Sequence, residues 1–514
     1  MGYLVGVDLG TSGTKTVLFD PAGRALAGAT AEYPLYQPEI GWAEQDPDDW
    51  WRAVRETIAA VIKKSGINTR DIRAMGLSGQ MHGLVLLDRD GAVLRRSIIW
   101  CDQRTGLECD QIHERVGRER LIQITANPAL TGFTASKLLW VRNHEPGIFE
   151  RTAKVLLPKD YIRYRLTGEY ATEVSDASGT QFLDVPRRTW SAEVLDRLGI
   201  PADWMPAVYE SYEISGQLTR QAAALTGLPE GLPVAGGGGD QAAGAVGNGI
   251  VRTGVVSSTI GTSGVVFAHT DSVRIDPGGR VHTFCHAVPG CWHIMGVTQG
   301  AGLSYRWFRD EFCAVEQVMA RRLGVDPYEL MGEQARSAQP GCGGLIYLPY
   351  LMGERTPHLD PAAKGVFFGL SARHTRADMI RAVMEGVTYS LLDALCIIRE
   401  MGVDASEVRA SGGGARSPLW RQMQADMFGT RVCALESGEG PALGAALLAG
   451  VGAGIYGSVP EACDAAVRPG ESVQPDERSA RVYRRLYPIY RGLYAQLKPS
   501  YDRLAETLEA LREE

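Results

Sequence analysis

Asp8-Leu-Gly-Thr-Ser-Gly13 near the N-terminus returns at mid-chain as Thr259-Ile-Gly-Thr-Ser-Gly264. Short β-rich runs flank each copy: Tyr3–Val7 and Thr16–Phe19 around the first, Val255–Ser258 and Val265–Ala268 around the second. Apolar runs of that length meeting at a glycine-centred turn predict a β-hairpin. A repeat spaced by half the chain predicts two related halves, not a solenoid of short units.

Outward from the hairpins, strand and helix patterns alternate. Asp49–Lys63, Thr134–Asn143, Asp378–Glu400 and Pro418–Phe428 read as helices; Ala74–Leu77, Leu84–Leu87, Ser97–Trp100 and Val408–Ala410 read as strands. The mixture predicts an α/β protein whose helices cover sheets. A Pro- and Gly-rich stretch, 227–239, precedes the domain change, which we place near Val251, giving domains 1–251 and 252–514. The uncharged stretch 440–460 is interrupted by glycines, so it predicts a packed helix over Ala442–Ala449 and not a membrane span. From Asp476 onward, Tyr and Leu recur at helical spacing, the pattern of a helix docked on its own domain.

Composition narrows the functional classes. Of 514 residues, 45% are apolar and 22% charged, which excludes a disordered chain. Lys and Arg number 53 against 60 Asp and Glu, a net charge of −7, so no bulk basic face awaits nucleic acid. The nine cysteines form no CxxC pair and read as reduced thiols. The chain starts on a strand-like run with no basic and apolar leader, so the expected location is cytoplasmic, with no membrane partner.

Several short motifs can carry chemistry. In Asp8-Leu-Gly-Thr-Ser-Gly-Thr-Lys15, two glycines allow backbone N–H groups to face an anion. Thr11, Ser12 and Lys15 add donors and charge, and Asp8 at a strand end suits Mg²⁺ or water. A plain hairpin with polar turn residues reads equally from this segment alone. The second copy replaces the acid with Thr259, the asymmetry expected if two hairpins grip one polyphosphate. Gly236-Gly-Gly-Gly239-Asp240-Gln241 places an acid after four glycines, as a general base or as a helix cap. Ser411-Gly-Gly-Gly-Ala-Arg-Ser417 joins a strand to a helix, as a base-binding loop or a simple turn. In Gln80-Met-His-Gly83, Met81 and His82 are candidates to shape a sugar pocket.

Two longer stretches are more specific. The segments Gly132–His144 and Gly365–Leu370 followed by Asp378–Glu385 resemble the two signatures of the FGGY carbohydrate kinases. Ser78–Gly83, Leu157–Asp160, Ser175–Gly179 and Gly353–Pro357 resemble the members of that family that phosphorylate a ketopentose. The resemblance implies an actin-like ATPase (ribonuclease H-like) fold, two related α/β domains around a central cleft. It implies ATP-dependent phosphorylation of a sugar with Mg²⁺, with D-xylulose the expected acceptor; the alternatives are a kinase for another ketopentose or polyol (ribulose, L-xylulose or glycerol) or a non-catalytic ATP-driven conformational switch of the same fold. By the same resemblance Asp240 is the catalytic base, and Asp8 assists through the metal, holding it through water. Met81, His82, Trp100, Asp240 and Gln241 line the sugar site. Thr11, Ser12, Lys15, Gly261 and Thr262 fall on phosphate hairpins, and Gly413, Gly414 and Ser417 on the adenosine motif. Gln241 stands where some ketopentose kinases have Asn and where glycerol kinases also have Gln, whereas Met81-His82 replaces the Arg-Glu of glycerol kinases. The expected partners are thus sugar and ATP, with a homodimer left open.

Overall fold

The computed structural model describes residues 2–436 and 438–513. The chain forms two compact units. The first contains residues 1–252, 269–293 and 439–467; the second contains 253–268, 294–438 and 468–514. The first change of unit thus falls within two residues of Val251. Two later segments nevertheless return to the first unit, a feature that a contiguous division of the sequence does not contain.

The first unit is built on six strands: β1 (Tyr3–Leu9), β2 (Gly13–Phe19), β3 (Ala25–Glu32), β4 (Ile72–Gly79), β5 (Ile214–Gln217) and β6 (Pro233–Ala235). Across the sheet they run β3-β2-β1-β4-β6-β5. The second unit has β7 (Gly254–Ile260), β8 (Gly264–Thr270), β9 (Trp292–Thr298), β10 (Ala405–Ser411), β11 (Arg431–Leu435) and β12 (Pro469–Val473), running β9-β8-β7-β10-β11-β12. The first four positions match, and the last two are occupied in the opposite chain order. In each sheet the hairpin is antiparallel. The next two pairings are parallel, and the last is antiparallel. The repeated Gly-Thr-Ser-Gly turn is therefore the visible trace of a duplicated α/β sheet.

Helices follow the local signals. The helix Pro47–Ser65 starts at Asp46, whose side chain accepts from Asp48 N, and stops at Gly66 in the left-handed region. It buries Trp50, Val54 and Ile58 against the first sheet. The uncharged stretch forms the helix Gly440–Gly452, which packs on β1, β4 and the helix Asp240–Gly247. Its approach is close enough that a Cβ on Gly6 or Gly76 would overlap the carbonyl oxygens of Ala442 and Ala445. The helix Glu477–Glu513 docks on its own unit: Tyr483 donates to Glu385 and accepts from Arg381, each at 2.8 Å. Among the described residues, no helix is long and apolar enough to cross a membrane. All nine cysteines are free thiols.

Candidate active site

Strand register assembles the acidic part of the site. In the parallel pair β1/β4, Asp8 stands opposite Ser78, whose hydroxyl donates to Asp8 Oδ1 at 3.1 Å. The short strand Gly238–Gly239 pairs with the other edge of β4, with Gly238 also in register with Ser78. Asp240 leaves the sheet immediately afterwards, so both acids sit at the carboxyl ends of parallel strands that flank β4, where open α/β sheets bind ligands. Gly239 is the capping residue of the helix that follows, and Asp240 occupies its first turn. The helix-cap reading of Asp240 is thereby removed.

Burial pushes the Asp240 carboxyl up to about 7, with the nearby Asp8 charge adding to the effect against hydrogen bonds from Gln241. Burial likewise pushes Asp8 up to about 6, opposed by the Ser78 hydroxyl and by Lys15. Both residues keep partial solvent exposure. A carboxyl placed this way can accept a proton near neutral pH.

Met81 and His82 come to the same place. Met81 is buried, and a Cβ on Gly239 would lie 2.9 Å from its Cγ. His82 Nδ1 meets the Gly179 carbonyl at 2.9 Å, and its ring stacks on Phe133 at 4.5 Å. Any side chain at Gly179 would collide with that ring. His82 has φ of 70°, a left-handed backbone that costs a non-glycine residue about 1–3 kcal/mol. Its carbonyl accepts from Lys137 Nζ at 2.9 Å and Thr134 Oγ1 at 3.1 Å, which holds the bend. Lys137 is fully buried, and burial pushes its ammonium down to about 7.

Behind the glycine run lies a buried ionic cluster. Lys159 Nζ meets Asp160 at 2.8 Å, Asp176 at 3.2 Å and Glu173 at 3.3 Å. Arg163 meets Asp160 at 2.9 Å and donates to the Gly236 carbonyl. Ser175, tied to Glu173 at 2.9 Å, accepts from Gly239 N at 3.1 Å. The cluster thus braces the backbone that delivers Asp240. Three acids face two bases there, and Asp176, deprived of water, is driven well above the usual carboxylate range.

The first hairpin is held by side chains from elsewhere in its unit. Tyr33 donates to the Gly10 carbonyl, Gln45 to the Thr11 carbonyl at 2.6 Å, and Trp100 Nε1 to Thr11 Oγ1 at 2.9 Å. Trp100 is therefore anchored to the hairpin. Lys15 pairs with Glu439 at 2.6 Å, and Ser12 is exposed at the turn.

The remaining expected residues lie in the second unit. Thr259, the counterpart of Asp8, stands opposite Ser411, with their hydroxyls 2.7 Å apart. The Gly261 and Thr262 carbonyls accept from Gly302 N at 2.8 Å and Leu303 N at 3.0 Å, which leaves the turn itself exposed. Gly413 and Gly414 form a short turn over the end of β7: a Cβ on Gly414 would lie 2.6 Å from Ile260 Cβ. Ser417 caps the helix Pro418–Phe428, accepting from Trp420 N at 3.3 Å. The loop and the second hairpin thus adjoin within one unit.

Ser78, Lys137, Gly179 and Glu439 are parts of this construction that sequence reasoning did not single out as site residues. Ser78, Lys137 and Gly179 stand inside quoted motifs. Glu439 carries no local signal, because its partner lies at the other end of the chain.

The model of the FGGY carbohydrate kinase N-terminal domain matches residues 3–247, and that of the C-terminal domain matches 256–453. A xylulose kinase of Bacillus subtilis is 41% identical, with 97% of this chain and 98% of the relative covered. That of Escherichia coli is 42% identical over 96% and 99%. The crystal structure of a xylulose kinase from Rhodospirillum rubrum superposes with a TM-score of 0.88 at 33% identity, covering 97% of this chain and 100% of the other.

Proposed function

The chain belongs to the FGGY family of carbohydrate kinases, and from that membership we propose that it transfers the γ-phosphoryl group of ATP to D-xylulose, giving D-xylulose 5-phosphate and ADP. The observation that carries the mechanism is the two carboxyls at the carboxyl end of one sheet, with Asp240 raised to about 7 beside Met81 and His82. Asp240 accepts the proton of the attacking sugar hydroxyl. A base matched to the working pH is both deprotonated in part and strong enough to pull. Gln241, next in the helix, hydrogen-bonds that carboxyl and fixes its orientation. Met81 and His82 shape the sugar site, and Trp100 supports it through Thr11.

Thr11, Ser12 and Lys15 in the first unit, and Gly261, Thr262, Gly413, Gly414 and Ser417 in the second, are the groups we assign to ATP. On this reading 1–251 and 252–514 carry the sugar and nucleotide functions respectively, apart from the two returning segments. Asp8 fits Mg²⁺: it is a hard oxygen donor at a strand end, with a single hydroxyl on Oδ1. When bound, the ion supplies neutralisation of phosphate charge. Lys15, paired with Glu439 in this structure, would exchange that carboxylate for phosphate. The chemistry asks mainly for positioning and charge neutralisation. We place it in the cytoplasm, where ATP is present and free thiols persist.

A coupled ADP-release assay over D-xylulose, ribulose, D-gluconate, xylitol and glycerol tests the substrate. D-xylulose is expected to give the highest kcat/KM, since a site that hydrogen-bonds particular hydroxyls rejects analogues lacking them by large factors. A higher value for any other member of the panel overturns the assignment.

A further inference from the structure

We propose that the chain binds one transition-metal ion, for which Zn²⁺ is the probe, at His269, Asp271 and Cys291, a set of residues separate from those assigned to sugar and ATP. One ligand atom from each residue lies within 4.8 Å of the others. His269 is the last residue but one of β8, Asp271 directly follows the strand, and Cys291 immediately precedes β9. All three belong to the segment that returns to the first unit.

The donor set is one imidazole, one carboxylate and one thiol. That mixture suits Zn²⁺ and its neighbours far better than Mg²⁺, which takes oxygen ligands. His269 Nε2 already meets Asp271 Oδ1 at 3.0 Å. An ion would take the place of the proton between them. Zn–N near 2.0 Å and Zn–S near 2.3 Å put tetrahedral ligand atoms roughly 3.5 Å apart. From the 4.8 Å limit the thiol therefore has to close by no more than about 1.3 Å. Cys291 is half-buried and the Asp271 side chain is 75% exposed, so both have room to move.

The imidazole is the fixed member. His269 is 2% exposed, with its ring 5.1 Å from His286, which in turn packs 5.7 Å from His293. A locked ring presents its nitrogen without an entropy cost at binding. Arg188 donates to the Cys291 carbonyl at 2.6 Å and holds the backbone that carries the thiol. Binding would release the thiol proton to solvent and leave Zn²⁺ balanced by one carboxylate and one thiolate. The exposure of Asp271 gives the ion an entry path and leaves a fourth position to water.

The test uses the full-length protein stripped with EDTA. Equilibrium dialysis against Zn²⁺ is expected to load one equivalent per chain. Cys291→Ser and His269→Gln are each expected to weaken binding by at least about tenfold, the scale of losing a metal contact. Cys396→Ser, at a half-buried thiol in the other unit, is expected to leave it unchanged. Co²⁺ is expected to give a thiolate charge-transfer band that Cys291→Ser abolishes. In the unmutated chain, one equivalent of Zn²⁺ is expected to protect Cys291 from iodoacetamide, which needs no variant to fold. Equal Zn²⁺ uptake by the unmutated chain and Cys291→Ser, or unprotected Cys291 in the loaded protein, overturns the proposal. Neither readout depends on kinase activity, so failure of the sugar assignment is distinguishable from failure of the metal site.

Discussion

Asp240 draws its chemistry from a neighbour as much as from its own burial. With Asp8 close by, each negative charge raises the cost of the other, and Asp240 keeps its proton up to about pH 7. Asp240→Asn is expected to lower kcat by about 10²–10⁴, since the amide still hydrogen-bonds a hydroxyl but accepts no proton. Sugar affinity, read by calorimetry, is expected to change little; near-full turnover would place the base elsewhere. In the unmutated enzyme, kcat/KM should fall on the acid side with an apparent pKa near 7, checked by a pH profile with sugar below saturation. Stability runs the opposite way. Both acids hold protons more tightly folded than unfolded, so their contribution is fully present below about pH 4 and is lost as pH rises through about 6 to 7. Asp240→Asn should therefore melt higher than the parent at pH 8, with the gap closing toward pH 4. A lower melting temperature for the variant at pH 8 would contradict this sign.

At the scale of elements, the helix Gly440–Gly452 is the informative case. Its small residues and lack of charge were legible as a packed helix, because composition and glycine spacing are local properties. Its partners were not legible: β1 and β4 lie hundreds of residues earlier, and the matching Gly6 and Gly76 look like ordinary strand glycines until the helix is laid on them. Gly76→Ala is expected to destabilise by about 1–3 kcal/mol or more through overpacking. Gly147→Ala, where a Cβ meets nothing within 4 Å, is expected to be neutral or slightly stabilising. Urea unfolding of the two variants side by side decides it; equal midpoints would mean the helix sits less tightly than described. The strand expected over Ser97–Trp100 shortened to Ser97–Ile98. Trp100 falls past its end because the partner strand, Glu44–Gln45, offers only two residues for pairing, a limit that no local pattern announces.

For the whole molecule, the duplicated sheet and the returning segments pull in different directions. The order of the first four strands and the sense of the pairings repeat in each unit, with only the last two strands exchanged, so the Gly-Thr-Ser-Gly echo reported a real duplication. The units are nevertheless not two independent stretches of chain, since 269–293 and 439–467 complete the first. A fragment ending at Arg252 lacks the helix that covers β1 and β4, leaving apolar strands without their layer. Expressed alone, residues 1–252 are expected to bind a hydrophobic dye and to lack a cooperative urea transition. A sharp two-state unfolding curve for that fragment would show that the returning segments are dispensable.

The sequence by itself determined the hairpins, the main helices with their ends, the α/β class and the residue types that can carry phosphoryl transfer. These follow from side-chain periodicity, glycine turns and caps, which act over a few residues. Only the tertiary structure decided that Asp8 meets Ser78, that Lys15 meets Glu439, and that Gly239 rather than Asp240 caps its helix. It also decided that Lys159 and Arg163 brace the loop bearing Asp240 from within a buried cluster. Such pairings depend on strand register and on segments brought together from opposite ends of the chain. An acid's proton affinity depends in turn on the water and charge around it, which exist only once those segments have packed.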